Sequence, residues 1–210
     1  SDGTFLNTQI HATQGDGNGS VMFTLGGGLL VYGRTSDTSP RWRTYEDASN
    51  SFTADVGSIV GGIGRTFSMR TSPIKKEAIA GYVDSTGTLR ITCFNGVTWS
   101  NEWSDTVGGN GATRRFDISY ETGTGDVMIV YATGSATTNE LEYRTKSGST
   151  SCVSGSWSGS TFINPIRTSE VVQWVRTEGD PRTSSQRIAL VWGDGNRDLS
   201  AMVWDGAAWG

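Results

Sequence analysis

The chain has one histidine, two cysteines and four prolines among 210 residues, and no long apolar run. Each shortage removes a class of chemistry. His11 stands alone, so Ser-His-Asp, Cys-His and multi-histidine metal sites all lack their central member. Cys93 and Cys152 fit neither a zinc-ligand spacing nor a Cys-x-x-Cys redox pair. A disulfide joining neighbouring units in an oxidising compartment and a pair of half-buried free thiols both stay open. Nothing approaches the roughly 18 apolar residues of a membrane-spanning helix. Net charge is −4 with no face rich in Lys and Arg, so a nucleic-acid partner is not expected. There is no Gly-Lys-Ser/Thr phosphate loop and no Gly-x-Ser-x-Gly elbow, and no cofactor is expected. The opening Ser1-Asp2-Gly3 carries no signal peptide or basic start, which reads as a mature or excised fragment.

What the chain does have is glycine, 29 of them, with many Ser and Thr and short runs of Val, Ile, Tyr and Trp. That is the composition of many short strands joined by tight turns. It also repeats itself. Asp84–Trp99 and Asp194–Trp209 align without a gap at an offset of 110 residues, placing Leu89 on Leu199, Phe94 on Trp204, Asn95-Gly96 on Asp205-Gly206 and Trp99 on Trp209. Each copy reads as a turn, a strand, a two-residue Asn-Gly or Asp-Gly hairpin and the start of another strand.

Four units follow from the repeat, at about 19–60, 61–110, 111–165 and 166–210. Ile129-Val130-Tyr131 matches Leu30-Val31-Tyr32, Tyr143-Arg144-Thr145 matches Trp42-Arg43-Thr44, and Val175-Arg176-Thr177 matches Met69-Arg70-Thr71. Units one and three are therefore one subtype, and units two and four another. Four strands per unit at this spacing predict an all-β, β-propeller-like fold of four units, each of about four antiparallel strands. In the third unit the last strand is expected around Ser156-Trp157. The fourth unit ends as its outermost strand begins, whereas residues 1–18 hold a spare strand at 4–10. Strand complementation between Phe5, Leu6 and Ile10 and the edge at Ala208 and Trp209 would act as a clasp within one molecule or as a donor strand between molecules.

The subtype motifs carry a resemblance. Tyr143-Arg-Thr, Asp205-Gly-Ala-Ala-Trp209, Phe116-Asp-Ile-Ser-Tyr-Glu121 with Gly125–Tyr131, and Ile188-Ala-Leu-Val with Asp194-Gly-Asn resemble the tandem repeats of uncharacterised bacterial cell-surface and pilin-like proteins. Those repeats run roughly Tyr-Arg-x-Trp-[Asn/Asp]-Gly-x-x-Trp. The first unit departs from them at Tyr45–Phe52. The resemblance implies a secreted or surface-displayed, non-enzymatic propeller. The leading expectation is accordingly a structural subunit of an extracellular appendage or surface filament that partners with itself.

The alternative is a lectin-like module on the cell surface that binds glycans. Eight tryptophans invite it, although Trp at matched repeat positions is expected to pack between units. Trp103 and Trp157 fall outside the matched frame and are the candidates for stacking on a sugar. Asp194, Asn196 and Asp198, with Asp16 and Asn18, have the alternating oxygens of a calcium loop but lack its Gly and distal Glu. Asp-Gly-Asn is also a common tight turn, so no metal is assigned. Asn18-Gly-Ser20 is the single N-glycosylation sequon. The stretch Thr35-Ser-Asp37-Thr-Ser39-Pro-Arg-Trp42 has the spacing of a sialidase Asp-box, with Ser39 in place of its Gly, and it occurs once. The arginine cluster and Tyr/Glu pair of a sialidase find no matching motif. A glycosidase is the third reading.

Overall fold

The computed structural model describes residues 19–24, 27–33, 37–46, 48–54, 57–59, 61–109, 111–163 and 170–210. They form four antiparallel sheets and no helix among the described residues. Blade 1 holds β1 (Gly19–Thr24), β2 (Gly27–Tyr32), β3 (Arg41–Glu46) and two short strands against β3, β4 (Ser51–Phe52) and β5 (Gly57–Ser58). Blade 2 runs β6 (Gly64–Thr71), β7 (Ala78–Asp84), β8 (Thr88–Phe94) and β9 (Trp99–Thr106). Blade 3 runs β10 (Phe116–Tyr120), β11 (Val127–Ala132), β12 (Leu141–Lys146) and β13 (Thr161–Phe162). Blade 4 runs β14 (Val172–Gly179), β15 (Ile188–Asp194) and β16 (Leu199–Trp204). The innermost strands β1, β6, β10 and β14 meet in that order. This is the β-propeller arrangement that the repeats predict.

The core lies between blades, in three clusters. Side chains alternate along a strand, so a middle strand supplies two interfaces at once. Ala78, Ala80 and Tyr82 of β7 pack toward blade 1, while Ile79 and Val83 pack toward blade 3. In β11, Val127, Ile129 and Tyr131 face blade 2, and Met128, Val130 and Ala132 face blade 4. Both strands are buried at every position, which is why they read as unbroken apolar runs without a polar face. At Gly81 a Cβ would lie 2.6 Å from the Phe116 ring and 2.8 Å from Ile91. Glycine there lets blade 3 approach blade 2.

Three local expectations are corrected. The hairpins after Phe94 and Trp204 have four-residue loops, because Phe94 pairs with Trp99 and Trp204 with Trp209. Asn95 Oδ1 accepts the amides of Val97 and Thr98 at 3.0 and 2.9 Å, and Asp205 Oδ1 accepts those of Ala207 and Ala208, both at 2.8 Å. This side-chain turn, with Gly96 and Gly206 at φ 95° and 107°, replaces the two-residue hairpin. The last strand of blade 3 is Thr161–Phe162, and Ser156-Trp157 lies before it. Trp157 is drawn out of strand pairing because its indole N–H reaches a carboxylate on blade 2, Glu102. Finally, Phe67 stands opposite Tyr82 as Val175 stands opposite Trp192, so β6 and β14 correspond two residues away from the Met69/Val175 match. A two-residue slip keeps every side chain on its face.

Cys93 on β8 and Cys152 in the loop after β12 form a disulfide, Cα to Cα 5.9 Å. It ties blade 2 to blade 3. Phe5, Leu6, Ile10, His11, Asp16 and Asn18 lie outside the described residues. At the other end, Ala208 and Trp209 stand where a fourth strand of blade 4 starts. Val203 and Gly210 exchange two backbone hydrogen bonds, at 2.9 and 3.0 Å.

Candidate functional site

The junction of blades 2 and 3 brings together charged, phenolic and indole side chains from β9, β11, β12 and the loop after β12. A β-bulge makes this possible. In β9 the register shifts between the Ile91–Trp103 and Thr92–Asn101 pairs, leaving Glu102 as the extra residue. Without it, Trp99 and Trp103 would share a face. With it, Trp99 packs toward blade 1 while Glu102, Trp103 and Asp105 turn to blade 3. Opposite them, β12 alternates: Leu141 and Tyr143 serve the blade 4 interface, and Glu142, Arg144 and Lys146 face blade 2.

The inner layer is a buried ion pair. Lys146 Nζ lies 2.7 Å from Glu102 Oε2, with side-chain exposures of 1% and 8%. Burying such a pair is tolerable only when the remaining hydrogen-bonding capacity is used, and here it is. Trp157 Nε1 donates to Glu102 Oε2 at 3.0 Å and Ser100 Oγ to Glu102 Oε1 at 2.9 Å. Lys146 also donates to the Cys152 carbonyl and sits 5.6 Å from the centre of the Trp157 ring.

The outer layer is more open. Arg144 lies over the Trp103 ring, Cζ 4.7 Å from its centroid, a cation–π geometry. Its Nε donates to Tyr131 Oη at 3.2 Å and its Nη2 to Asp105 Oδ2 at 3.3 Å. Tyr131 Oη donates to Glu142 Oε2 at 2.8 Å. Burial works against the Arg144 charge, but Tyr131 and Asp105 more than restore it and raise its pKa. Burial raises the Tyr131 phenol, Arg144 opposing and Glu142 adding to the shift. The Arg144 side chain is 23% exposed and that of Asp105 35%. The surface thus offers a planar donor fork, carboxylate acceptors and a phenol above an aromatic floor. These are groups for recognising hydroxyls, all already oriented by one another.

The two tryptophans singled out from sequence do meet here. Trp103 and Trp157 lie edge to face at 5.8 Å, and Trp103 lies 5.6 Å from Tyr131. Arg144 occupies a face of Trp103, so Trp103 is the floor of the cluster and not an open stacking platform. Sequence reasoning passed over Arg144, Asp105, Glu142 and Tyr131. The recurrence of Arg in Tyr143-Arg-Thr145 and Trp42-Arg-Thr44 was the available signal. Blade 1 repeats that half of the cluster: Arg43 Nε donates to Tyr32 Oη at 3.1 Å.

The matched tryptophans pack between blades. Trp42, Phe94 and Trp99 form one aromatic triad with centroids 5.3–6.4 Å apart. Tyr143, Trp204 and Trp209 form its copy at 5.6–6.1 Å. The Asp194 loop is organised as a turn: Asp194 Oδ1 accepts the amides of Asn196 and Asp198 at 2.9 and 3.1 Å. Asp84 Oδ1 does the same for Thr86 and Thr88. Among the described residues, no group of three or more His, Cys, Asp or Glu side chains is placed to hold a metal ion. In the Asp-box-like stretch, Asp37 pairs at 2.8 Å with Arg41, the first residue of β3.

No protein-family model and no curated protein matches this chain. Solved structures do. The chain is similar to AofleA from Arthrobotrys oligospora, with a TM-score of 0.62 at 11% identity over 91% of this chain and 55% of that one. It is similar to the SapL1 lectin solved with α-methyl fucoside, TM-score 0.56 at 15% identity over 92% and 61%. A third is the Aleuria aurantia lectin, described as a six-bladed β-propeller with a novel fucose recognition mode, TM-score 0.53 at 14% identity over 88% and 55%. The chain spans 55–61% of the length of these structures. At such identities the likeness shows one thing, that the chain has a β-propeller fold.

Proposed function

We propose that this chain is a non-enzymatic, carbohydrate-binding propeller module, secreted or displayed at a cell surface. The observation that carries the reading is the partly exposed Arg144 side chain, its guanidinium lying on Trp103 and bracketed by Asp105, Glu142 and Tyr131. An arginine fork beside a carboxylate suits vicinal hydroxyls, donating to one and accepting from the next. Preorganisation lowers the ordering cost of binding. The propeller neighbours that are named as lectins, two of them described with fucose or a fucoside, support the same reading. An oxidising compartment agrees with the inter-blade disulfide.

A panel of neutral oligosaccharides, fucosides included, on an array followed by calorimetric titration tests this. A hit should titrate with one site per chain. Arg144→Ala should weaken it at least tenfold, and Arg144→Lys, which loses the fork, should not restore it. The urea midpoint of both variants serves as the control for folding. A correctly folded wild-type chain that binds nothing on the array would sink the proposal.

Self-assembly into a surface filament is a second reading, in keeping with the repeat resemblance. What favours it is that the edge of β16 accepts a further strand, since Val203 and Gly210 exchange two backbone hydrogen bonds there. Deleting residues 1–12 should then abolish assembly.

A further inference from the structure

Blades 2 and 4 are not neighbours, yet their side chains meet. Arg70 Nη2 of β6 and Arg176 Nη2 of β14 both donate to Glu178 Oε2 of β14, each at 3.2 Å. Strands separated by a whole blade come this close only at the propeller axis, where the inner strands converge. The register explains the meeting. Phe67, Phe116 and Val175 stand opposite Tyr82, Tyr131 and Trp192. Ser68, Asp117 and Arg176 therefore make one layer across the inner strands, and Arg70, Ser119 and Glu178 the layer two residues on. Blade 3 completes the group from the middle. Asp117 is fully buried and accepts Ser68 Oγ at 2.5 Å, Arg114 Nη2 at 2.6 Å and the Thr177 amide at 2.9 Å. Arg176 Nε lies 3.6 Å from Asp117 Oδ2.

A purely structural ion network balances its charges and uses its donors. This one does neither. Arg70, Arg114 and Arg176 surround two carboxylates, those of Asp117 and Glu178, so one positive charge is in excess within the group. Arg114 Nε is buried without a hydrogen-bond partner. Arg70 and Arg176 each donate to a carboxylate through Nη2 alone, and neither makes the two-pronged contact that guanidinium and carboxylate favour. The two carboxylates also differ. Asp117 accepts through both oxygens and is part of the fold. Glu178 holds two arginines through a single oxygen, and its side chain is 64% exposed. We infer that the axis is a binding site for a small carboxylate, with Arg70 and Arg176 as its fork and Glu178 as an internal occupant that the ligand displaces. Arg114 adds positive charge to the same group through the shared Asp117. The ligand is a free organic acid or an acidic sugar, since both carry the group that the fork reads. The Arg144 cluster does not suit it, because there two carboxylates, Asp105 and Glu142, face one arginine. The axial site is therefore independent of the proposed carbohydrate site.

Titration with glucuronate, with acetate and with glucose at constant ionic strength, followed through the arginine Nε–H resonances by NMR, tests it. Glucuronate and acetate should shift Arg70 and Arg176 saturably, and Arg144 should stay still. Equal affinities for the two would identify a free organic acid as sufficient, and a tighter glucuronate an acidic sugar; either result supports the site. Glu178→Gln, which removes the competing carboxylate, should tighten binding roughly threefold or more. Arg70→Gln should weaken it about tenfold. A urea midpoint on each variant controls for folding, and the wild-type titration stands without them. The inference is overturned if neither carboxylate gives a saturable shift, if glucose moves the same resonances, if Arg144 alone responds, or if a folded Glu178→Gln chain binds no tighter than wild type.

Discussion

Removing the Cys93–Cys152 bond should cost this protein about 4 kcal/mol. The two residues are 59 apart in sequence. Closing a loop of that length in the unfolded chain removes about 14 cal/mol/K of entropy, or about 4 kcal/mol at 25 °C. Deleting the bond returns that entropy to the unfolded state. Since a domain of this size gains about 2–4 °C in Tm per kcal/mol, the midpoint should fall by about 10 °C. The bond also has a position that matters. It fixes the loop after β12 to β8, and that loop supplies the Cys152 carbonyl to Lys146 and the Trp157 indole to Glu102. In a propeller, stability is close to a sum of unit stabilities and nearest-neighbour interfaces. Loss of the bond should therefore weaken the coupling of blades 2 and 3 as well as the whole. Urea unfolding of the Cys93→Ala/Cys152→Ala variant against the oxidised wild type measures both effects. The entropic part appears as a lower midpoint, and the decoupling as a shallower or biphasic transition. A variant that unfolds in one step within about 1 kcal/mol of wild type would refute the reasoning, because it would mean that the unfolded chain gains nothing from the cut.

Two further outcomes follow from single positions. Among the described residues Asp194 Oδ2 is buried without a hydrogen-bond partner, whereas its counterpart Asp84 Oδ2 receives Arg90 Nε at 3.2 Å; position 200 holds Ser where blade 2 holds Arg90. Ser200→Arg should restore the pair and raise stability by about 1 kcal/mol in urea, the low end for satisfying a buried acceptor because the guanidinium is partly solvated. A neutral or destabilising result would show that the acceptor is not costly. Burial pushes the Tyr82 phenol up to about 12, with Arg90 pulling down and Asp84 adding to the rise. Since an unfolded tyrosine ionises near 10, the unfolded state loses the proton first, and stability should be full below about pH 10 and decline from there to about pH 12. Fluorescence-detected unfolding across that range checks the sign, and a flat profile would contradict it.

The architecture was legible because it is local and repeated. The 84–99 and 194–209 copies have the same Asx-centred turns, and their strands end at the matched Phe94 and Trp204, so the pattern of residues reports the pattern of sheets. What was not legible depended on contacts between units. Trp157 is not in a strand because Glu102, 55 residues away, holds its indole. Trp103 faces blade 3 because of a bulge at Glu102, and no signal in Trp99–Thr106 marks an extra residue. The cysteine pairing was open for the same reason. Arg144 was visible only as part of a recurring motif, and nothing in the motif says that an aromatic ring from the preceding unit lies beneath it.

The two-unit period explains why a polar cluster can exist in so small a core. Where an odd blade precedes an even one, the junction is filled by an aromatic triad, Trp42 with Phe94 and Trp99 in one case and Tyr143 with Trp204 and Trp209 in the other. Where the even blade 2 precedes the odd blade 3, the same region holds the Lys146–Glu102 pair and the Arg144 cluster, and a disulfide ties the blades together. Buried charge gives little net stability, so a covalent tie at the junction that carries it is physically apt. A propeller with identical units would have to place the same compromise at every junction. Alternation confines it to one junction in two, so under the proposed carbohydrate-binding reading a titration of this chain should find one site and not four.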